Sequence, residues 1–192
     1  LGDVYKRQPL HSLSGEINHI AIQVNDVSET ARNRIHLKET NLHLSEISRK
    51  DGLTGLFNRA FWEQAFKEEF ARLKCMETPC SLVIFDIDHF KKVNDTYGHH
   101  TGDEVIRRTA NLLKRTARGS DICGRFGGEE FTVLLPNTSE EQAKYFAERL
   151  RKRIEQEIVK VEEFLINYTI SLGVCEYKSQ FDSHTQWLKS AD

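Results

Sequence analysis

The sequence predicts an α+β sandwich in which a central antiparallel or mixed sheet is covered by helices. Three observations carry that expectation. Short β-rich runs, SLVIFDID (81–88), FTVLLP (131–136) and LINYTISLGVCEY (165–177), are bounded by turn residues and charges. Between them lie longer segments whose apolar residues recur at helical spacing. Taken in order, the segments read β-α-α-β-β-α-β, an order that suits helices packed on a sheet.

Each element has its own justification. Residues 1–14 open with the patternless LGDVYKRQPL and are expected to be an unstructured or appended segment. Residues 15–50 contain no proline and a single glycine, Gly15. Ile17, Ile20, Val24, Val27 and Ala31 follow a 3-4 spacing before the seam shifts to Ile35 and Leu42. That pattern predicts a signalling or dimerisation helix of coiled-coil type with a stutter, or an amphipathic helix packed on its own domain. DGLTGLFNR (51–59) ends it with two glycines, and Asn58 is placed to cap a helix from Arg59 to Lys74. Phe61, Trp62, Ala65, Phe66, Phe70 and Leu73 supply that helix's apolar positions.

After a turn at Thr78-Pro79, SLVIFDID reads as a central strand closed by carboxylates. Two helices follow, separated by Tyr97-Gly98, with Gly102-Asp103 marking the start of the second. DICGRF and FTVLLP make a hairpin around Gly127-Gly128. Ser139 opens a long helix with Glu140 and Glu141 in its first turn and Ala143, Phe146, Ala147, Leu150 and Ile154 on one face. A further strand follows, and the start of another helix, HTQWLKSAD, stops in mid-pattern, so the domain over 51–192 is expected to be truncated at its C-terminal end.

Composition narrows the function. A chain of 192 residues suits one domain plus a modest extension. Apolar and charged shares of 39% and 29% indicate a well-solvated globular protein. A net charge of −2 gives no basic face for polymeric nucleic acid, although a bound cation would supply positive charge locally for a nucleotide. Cys75, Cys80, Cys123 and Cys175 form no CxxC pair, so reduced thiols in a cytoplasmic setting are expected rather than disulfides or zinc. The apolar runs are too short to span a bilayer. The chain lacks an initiator Met and reads as a fragment, so membrane attachment would come only through an upstream region.

Two acidic places stand out. Asp86 ends the first strand, with Asp88 two residues on and on the same face of an extended segment. Glu129 and Glu130 sit at the hairpin tip. If the hairpin pairs beside the first strand, these acids converge at one edge of the sheet. Clustered carboxylates repel one another unless a cation is present. A hard divalent ion such as Mg²⁺ answers that need and binds substrate phosphates too, and Gly127 and Gly128 would let backbone approach a phosphate closely. Such a set suits phosphoryl or nucleotidyl transfer.

DGLTGLFNR, FDIDHFKKVNDTYGHHTGDE, GRFGGEEF and TISLGV occur in the order and at the spacings of a known family, and the chain from about Asp51 to Asp192 resembles the GGDEF domain of diguanylate cyclases. That resemblance implies a fold similar to the polymerase palm and the class III nucleotidyl cyclases. It also implies condensation of two GTP into cyclic di-GMP with release of pyrophosphate. On the same grounds Asp86, the Ile87 carbonyl and Glu129 would hold Mg²⁺, with Mn²⁺ as an alternative. Glu130 or Glu129 would help deprotonate the attacking 3′-hydroxyl. Asn94 and Asp103 would read guanine, since Asn both donates and accepts while Asp accepts from the N1–H and N2–H₂ edge. His99 would line that pocket, Phe90 would give it an apolar wall, and Lys91 would neutralise charge at the transferred phosphate.

RGSD, Arg118 to Asp121, matches the family's RxxD site, at which the cyclic di-GMP product inhibits. The product needs two GTP, so two domains must face one another in a homodimer. The signature reads GGEEF rather than GGDEF and keeps both carboxylates. The family usually continues beyond this point with a helix carrying a Lys and an Arg for the phosphates. Rival readings are a catalytically weak cyclic di-GMP receptor using Arg118 and Asp121 alone, a nucleotidyl cyclase with a mononucleotide product, and a structural dimerisation module.

Overall fold

The computed structural model describes residues 4–11, 17–25, 49–76 and 78–191. The chain divides into two compact units, Leu1–Ser48 and Arg49–Asp192. In the first, β1 (Val4–His11) and β2 (Ile17–Asn25) pair antiparallel, with a register shift at Leu10/His11. β1 thus falls within the segment 1–14 expected to be unstructured, and β2 occupies 17–25 of the stretch 15–50 expected to be helical. Ile20, Ile22 and Val24 recur at a period of two, while Ile20 and Val24 also fit the helical spacing. The remainder of that helix, 26–48, lies outside the described residues.

The second unit is built on a four-stranded, wholly antiparallel sheet ordered β4-β5-β3-β8, where β3 is Cys80–Ile87, β4 Ile122–Arg125, β5 Glu130–Pro136 and β8 Ile170–Glu176. Central β3 is flanked by β5 and β8, and helices cover both faces of the sheet. That is why LVIF reads as a continuous apolar run rather than an alternating one. Val83, Phe85 and Ile87 join Phe131 and Val133 in one core, against α2 (Phe90–Tyr97), α3 (His99–Thr116) and α4 (Glu140–Glu155). Phe85 and Phe131, opposite one another in the ladder, stack at 5.1 Å between centroids. Leu82 and Leu134 face the other way, into a second core formed with α1 (Arg59–Leu73) and α5 (His184–Ala191).

Local chemistry sets the helix ends as the sequence suggests. Asn58 Oδ1 accepts from the Phe61 amide at 3.0 Å and starts α1. Ser139 and Gln142 form a reciprocal capping box at the start of α4. Trp62, Phe66, Phe70 and Leu73 are the residues by which α1 is buried, and the Trp62 indole donates to the Ile122 carbonyl at 3.1 Å. All four cysteines are free, and burial pushes the Cys123 thiol up to about 12. Among the described residues no helix is long and apolar enough to cross a membrane.

Sequence reading missed one element. The stretch ahead of β8 folds into a small hairpin, β6 (Val159–Val161) with β7 (Phe164–Ile166), turning at Glu162 with φ 53°. A left-handed glutamate carries no turn signature of the Asn-Gly kind, so nothing in the composition announces it.

The contact between α1 and the hairpin strand β4 depends on Gly124, because a Cβ there would lie 2.8 Å from two Trp62 ring atoms. Gly124→Ala is therefore expected to lower stability by about 1–3 kcal/mol, measured as a reduced urea midpoint with unchanged m-value.

Candidate active site

The acids singled out in the sequence meet at the end of the sheet. The β3–β5 ladder sets Asp86 directly opposite Glu130, and opposed residues in such a ladder have Cβ atoms about 4.5–5.5 Å apart. Glu129 precedes Glu130 at the hairpin tip and is half-buried, while Asp86 and Glu130 are exposed. Burial raises the Asp86 carboxyl above its ordinary value, and the negative charges of Glu129 and Glu130 push it the same way. A hydrogen bond from the Ile87 amide offsets this only in part, and Asp88 adds to it. A small cleft of about 230 Å³ opens beside the pair, lined by Asp86, Glu130, Ser171 and the last residue of α5, Ala191.

The hairpin tip is braced from two directions. Phe126 and Gly127 amides donate to the Glu130 carbonyl, and the Glu130 side chain packs so closely on Gly127 that a Cβ there would overlap Oε2. The Arg125 guanidinium donates to the Gly127 carbonyl at 3.1 Å and to the Gly128 carbonyl at 2.8 Å, and pairs with Asp51 at 3.2 Å. Asp51 also accepts from the Thr54 amide and hydroxyl. Burial alone would raise the Asp51 carboxyl, but the Thr54 hydrogen bonds and the Arg125 charge outweigh it and hold it below the usual value. Phe57 adds a parallel bridge at Gly124, so the DGLTGLF loop lies along the β4 edge. The sequence shows DGLTGLFNR as a helix break, a cap at Asn58 and a family motif, but not as a brace for the hairpin. The signal it carried, an Asp and an Arg 74 residues apart, becomes legible once β4 is placed.

Asp88, expected on the same face as Asp86, lies just past the end of β3. Its carboxylate accepts from the Thr169 hydroxyl at 2.5 Å and the Ser171 hydroxyl at 2.6 Å, and its amide donates to the Thr169 carbonyl at 3.0 Å. Asp88 thus ties the β3–α2 turn to the start of β8, a role the sequence did not show. The next residue, His89, sits at φ 57° and leads into α2.

Of the residues expected to read guanine, Asn94 is half-buried on α2 and lies over α3, where a Cβ on Gly102 would overlap its Oδ1 and approach Phe90 Cζ at 3.1 Å. Gly102 is therefore the residue that lets α2 and α3 close on one another, and half-buried Asp103 follows it. Phe90 is 8% exposed and packs in the core, whereas Lys91 and His99 are exposed. Elsewhere, Arg118 and Asp121 close a turn: the Arg118 amide donates to Asp121 Oδ2 at 2.7 Å. Both line a cleft of about 180 Å³ that Tyr145 and Arg149 of α4 share. Those α4 residues were missed because their side chains reach the RxxD turn only through tertiary packing.

The family model described as diguanylate cyclase, GGDEF domain, matches residues 48–192. The chain belongs to the GGDEF family. Among its relatives, the probable diguanylate cyclase DgcC of Escherichia coli K12 is 38% identical over 81% of this chain and 42% of its own length. The diguanylate cyclase DosC of the same strain is 32% identical over 92% of this chain and 45% of its own length. The GGDEF chain thus spans under half the length of these curated relatives. The crystal structure of the coiled coil and GGDEF domain of DgcB from Caulobacter crescentus in complex with c-di-GMP superposes with a TM-score of 0.81 at 28% identity, covering 86% of this chain and 88% of that one. The active GGEEF domain of a diguanylate cyclase from Vibrio cholerae gives 0.67 at 33% identity over 70% and 85%.

Two charge predictions of opposite sign follow for this GGDEF domain. The raised Asp86 carboxyl favours the fold below its ordinary value of 3.8 and opposes it as pH rises through the folded value. Asp86→Asn is accordingly expected to raise the urea midpoint of the metal-free protein at pH 7, with the gain vanishing below the ordinary value. Asp51 is held low, so its contribution is present at neutral pH and is lost as pH falls through that lowered value. Arg125→Ala should destabilise by about 1–2 kcal/mol at pH 7, measured by urea denaturation.

Proposed function

We propose that this GGDEF domain is a diguanylate cyclase, joining two GTP into cyclic di-GMP with release of two pyrophosphates. The observation that carries the reading is the register that sets Asp86 against Glu130 with Glu129 beside them. Three carboxylates held together at a cost to the folded protein are an arrangement suited to a cation. Among the described residues no group of three or more His, Cys, Asp or Glu is placed to hold a metal ion through side chains alone. The fit is therefore to a hard ion such as Mg²⁺, or Mn²⁺, that completes its shell with backbone carbonyl, phosphate and water oxygens. Asp86, the Ile87 carbonyl and Glu129 would hold it. When bound, such an ion polarises the α-phosphate and lowers the pKa of the attacking hydroxyl.

The residues of the chain divide the remaining work. Asn94 and Asp103 offer the donor and acceptor pattern of the guanine edge, with His99 beside them and Phe90 as apolar wall. Gly127 and Gly128 admit the phosphates close to backbone, and exposed Lys91 neutralises charge that builds during transfer. Glu130, or Glu129, takes the proton of the 3′-hydroxyl. Since each domain holds one GTP, chemistry requires two domains face to face, and we assign that arrangement to a homodimer. The cleft of Arg118 and Asp121 suits the cyclic di-GMP product, whose guanine and phosphate acceptors match an arginine fork.

Incubating the protein with GTP and Mg²⁺ and identifying the product by mass tests the reading, and failure to form cyclic di-GMP would overturn it. Asp86→Asn and Glu129→Gln are each expected to lower turnover by about 10²–10³-fold with unchanged circular dichroism. Arg118→Ala is expected to leave initial turnover intact while abolishing inhibition by added product.

A further inference from the structure

A third cleft lies on the side of α2 away from Asn94. It encloses about 490 Å³, within the range of small-molecule sites, between α2, β7 and the linker leading into β8. The helix contributes Lys92, Val93, Thr96 and Tyr97, a stripe at i, i+1, i+4 and i+5, while Phe90 and Asn94 turn toward α3. Its floor is apolar and fixed: Val93, Ile166 and Tyr168 are 9%, 3% and 6% exposed. The Tyr168 hydroxyl is occupied by Thr109 at 2.9 Å. Tyr97 and Leu165 stand at the rim, 36% and 64% exposed, and the Tyr97 ring is seated on Phe164 at 5.2 Å between centroids.

The charges around this cleft are unevenly committed. Both acids that line it have partners: Asp88 accepts from the Thr169 and Ser171 hydroxyls, which fix its carboxylate in place but leave its charge, and Glu155 pairs at 3.1 Å with Arg151, which Glu148 shares. Both basic side chains, His89 and Lys92, have no hydrogen bond or ion pair from their side chains among the described residues. The side chains left to meet a ligand are therefore the Lys92 cation and the His89 donor, above an aromatic and aliphatic floor, with the Asp88 carboxylate turned to Thr169 and Ser171. We propose that this cleft binds a small aromatic anion, its ring between Tyr97 and Leu165 over Val93 and its anionic group on Lys92 and His89. Because the stripe that forms it faces away from Asn94 and Asp103, the site is separate from the proposed nucleotide pocket and both can be filled together.

The aromatic sulfonate 8-anilinonaphthalene-1-sulfonate serves as the probe, titrated into the whole chain by fluorescence and by amide chemical shifts. Saturable binding of one molecule is expected, with shifts at Lys92, Tyr97, Leu165 and Asn167. Lys92→Gln, which removes an exposed cation, should weaken binding about tenfold, and Leu165→Glu, which places a like charge on the rim, at least as much. Neither surface change should move the thermal midpoint. The uncharged analogue N-phenyl-1-naphthylamine should bind about tenfold more weakly than the sulfonate. Saturating GTP should leave the probe in place. Affinity untouched by both substitutions, shifts centred on another face, or displacement of the probe by GTP would each overturn the proposal.

Discussion

The antiparallel register of β3 against β5 is the constraint on which the rest of this domain depends. It places Asp86 opposite Glu130, and a slip of one residue would carry one of the two carboxylates to the other face of the sheet. The register is enforced by packing rather than by the acids, which repel. Phe85 on Phe131, Val83 opposite Val133, and the helices on both faces bury the strand pair so completely that the unfavourable charge at its end is carried along. A buried apolar ladder thus supplies the free energy that holds like charges together, and the electrostatic strain is concentrated at the point where a cation would relieve it.

The same logic explains the supports around the tip. A Gly-Gly turn is the part of a hairpin most prone to conformational freedom, since glycine loses more entropy on ordering than any other residue. Arg125 offsets that by donating to both glycine carbonyls, and Asp51 holds Arg125 in turn. Across the sheet, Asp88 performs the equivalent service for the β3–α2 turn through Thr169 and Ser171. Asp51 and Asp88 are thus spent on holding turns, leaving Asp86, Glu129 and Glu130 together at the end of the sheet.

What local sequence determined is considerable. The capped helix from Asn58, the capping box at Ser139, the apolar run of β3 and the Gly127-Gly128 hairpin all follow from interactions within a few residues, and each is found where the pattern puts it. The convergence of Asp86 with the hairpin acids was also legible, because strand ends and hairpin tips meet when the strands pair. Residues 17–25 of the stretch expected to be helical form a strand, and the pattern there is ambiguous because Ile20 and Val24 fit a helical spacing while Ile20, Ile22 and Val24 fit a period of two. The hairpin at Glu162 stayed hidden because a left-handed glutamate leaves no local mark.

Tertiary structure alone decided the long-range pairings: Asp51 with Arg125, Asp88 with Thr169 and Ser171, Arg149 with the turn of Arg118 and Asp121, and the cleft behind α2. The physical reason is common to all of them. Helical periodicity, caps and turns are set by neighbours along the chain, whereas an ion pair or a cleft depends on which surfaces the sheet order β4-β5-β3-β8 brings together, and that order is chosen by burial over the whole domain.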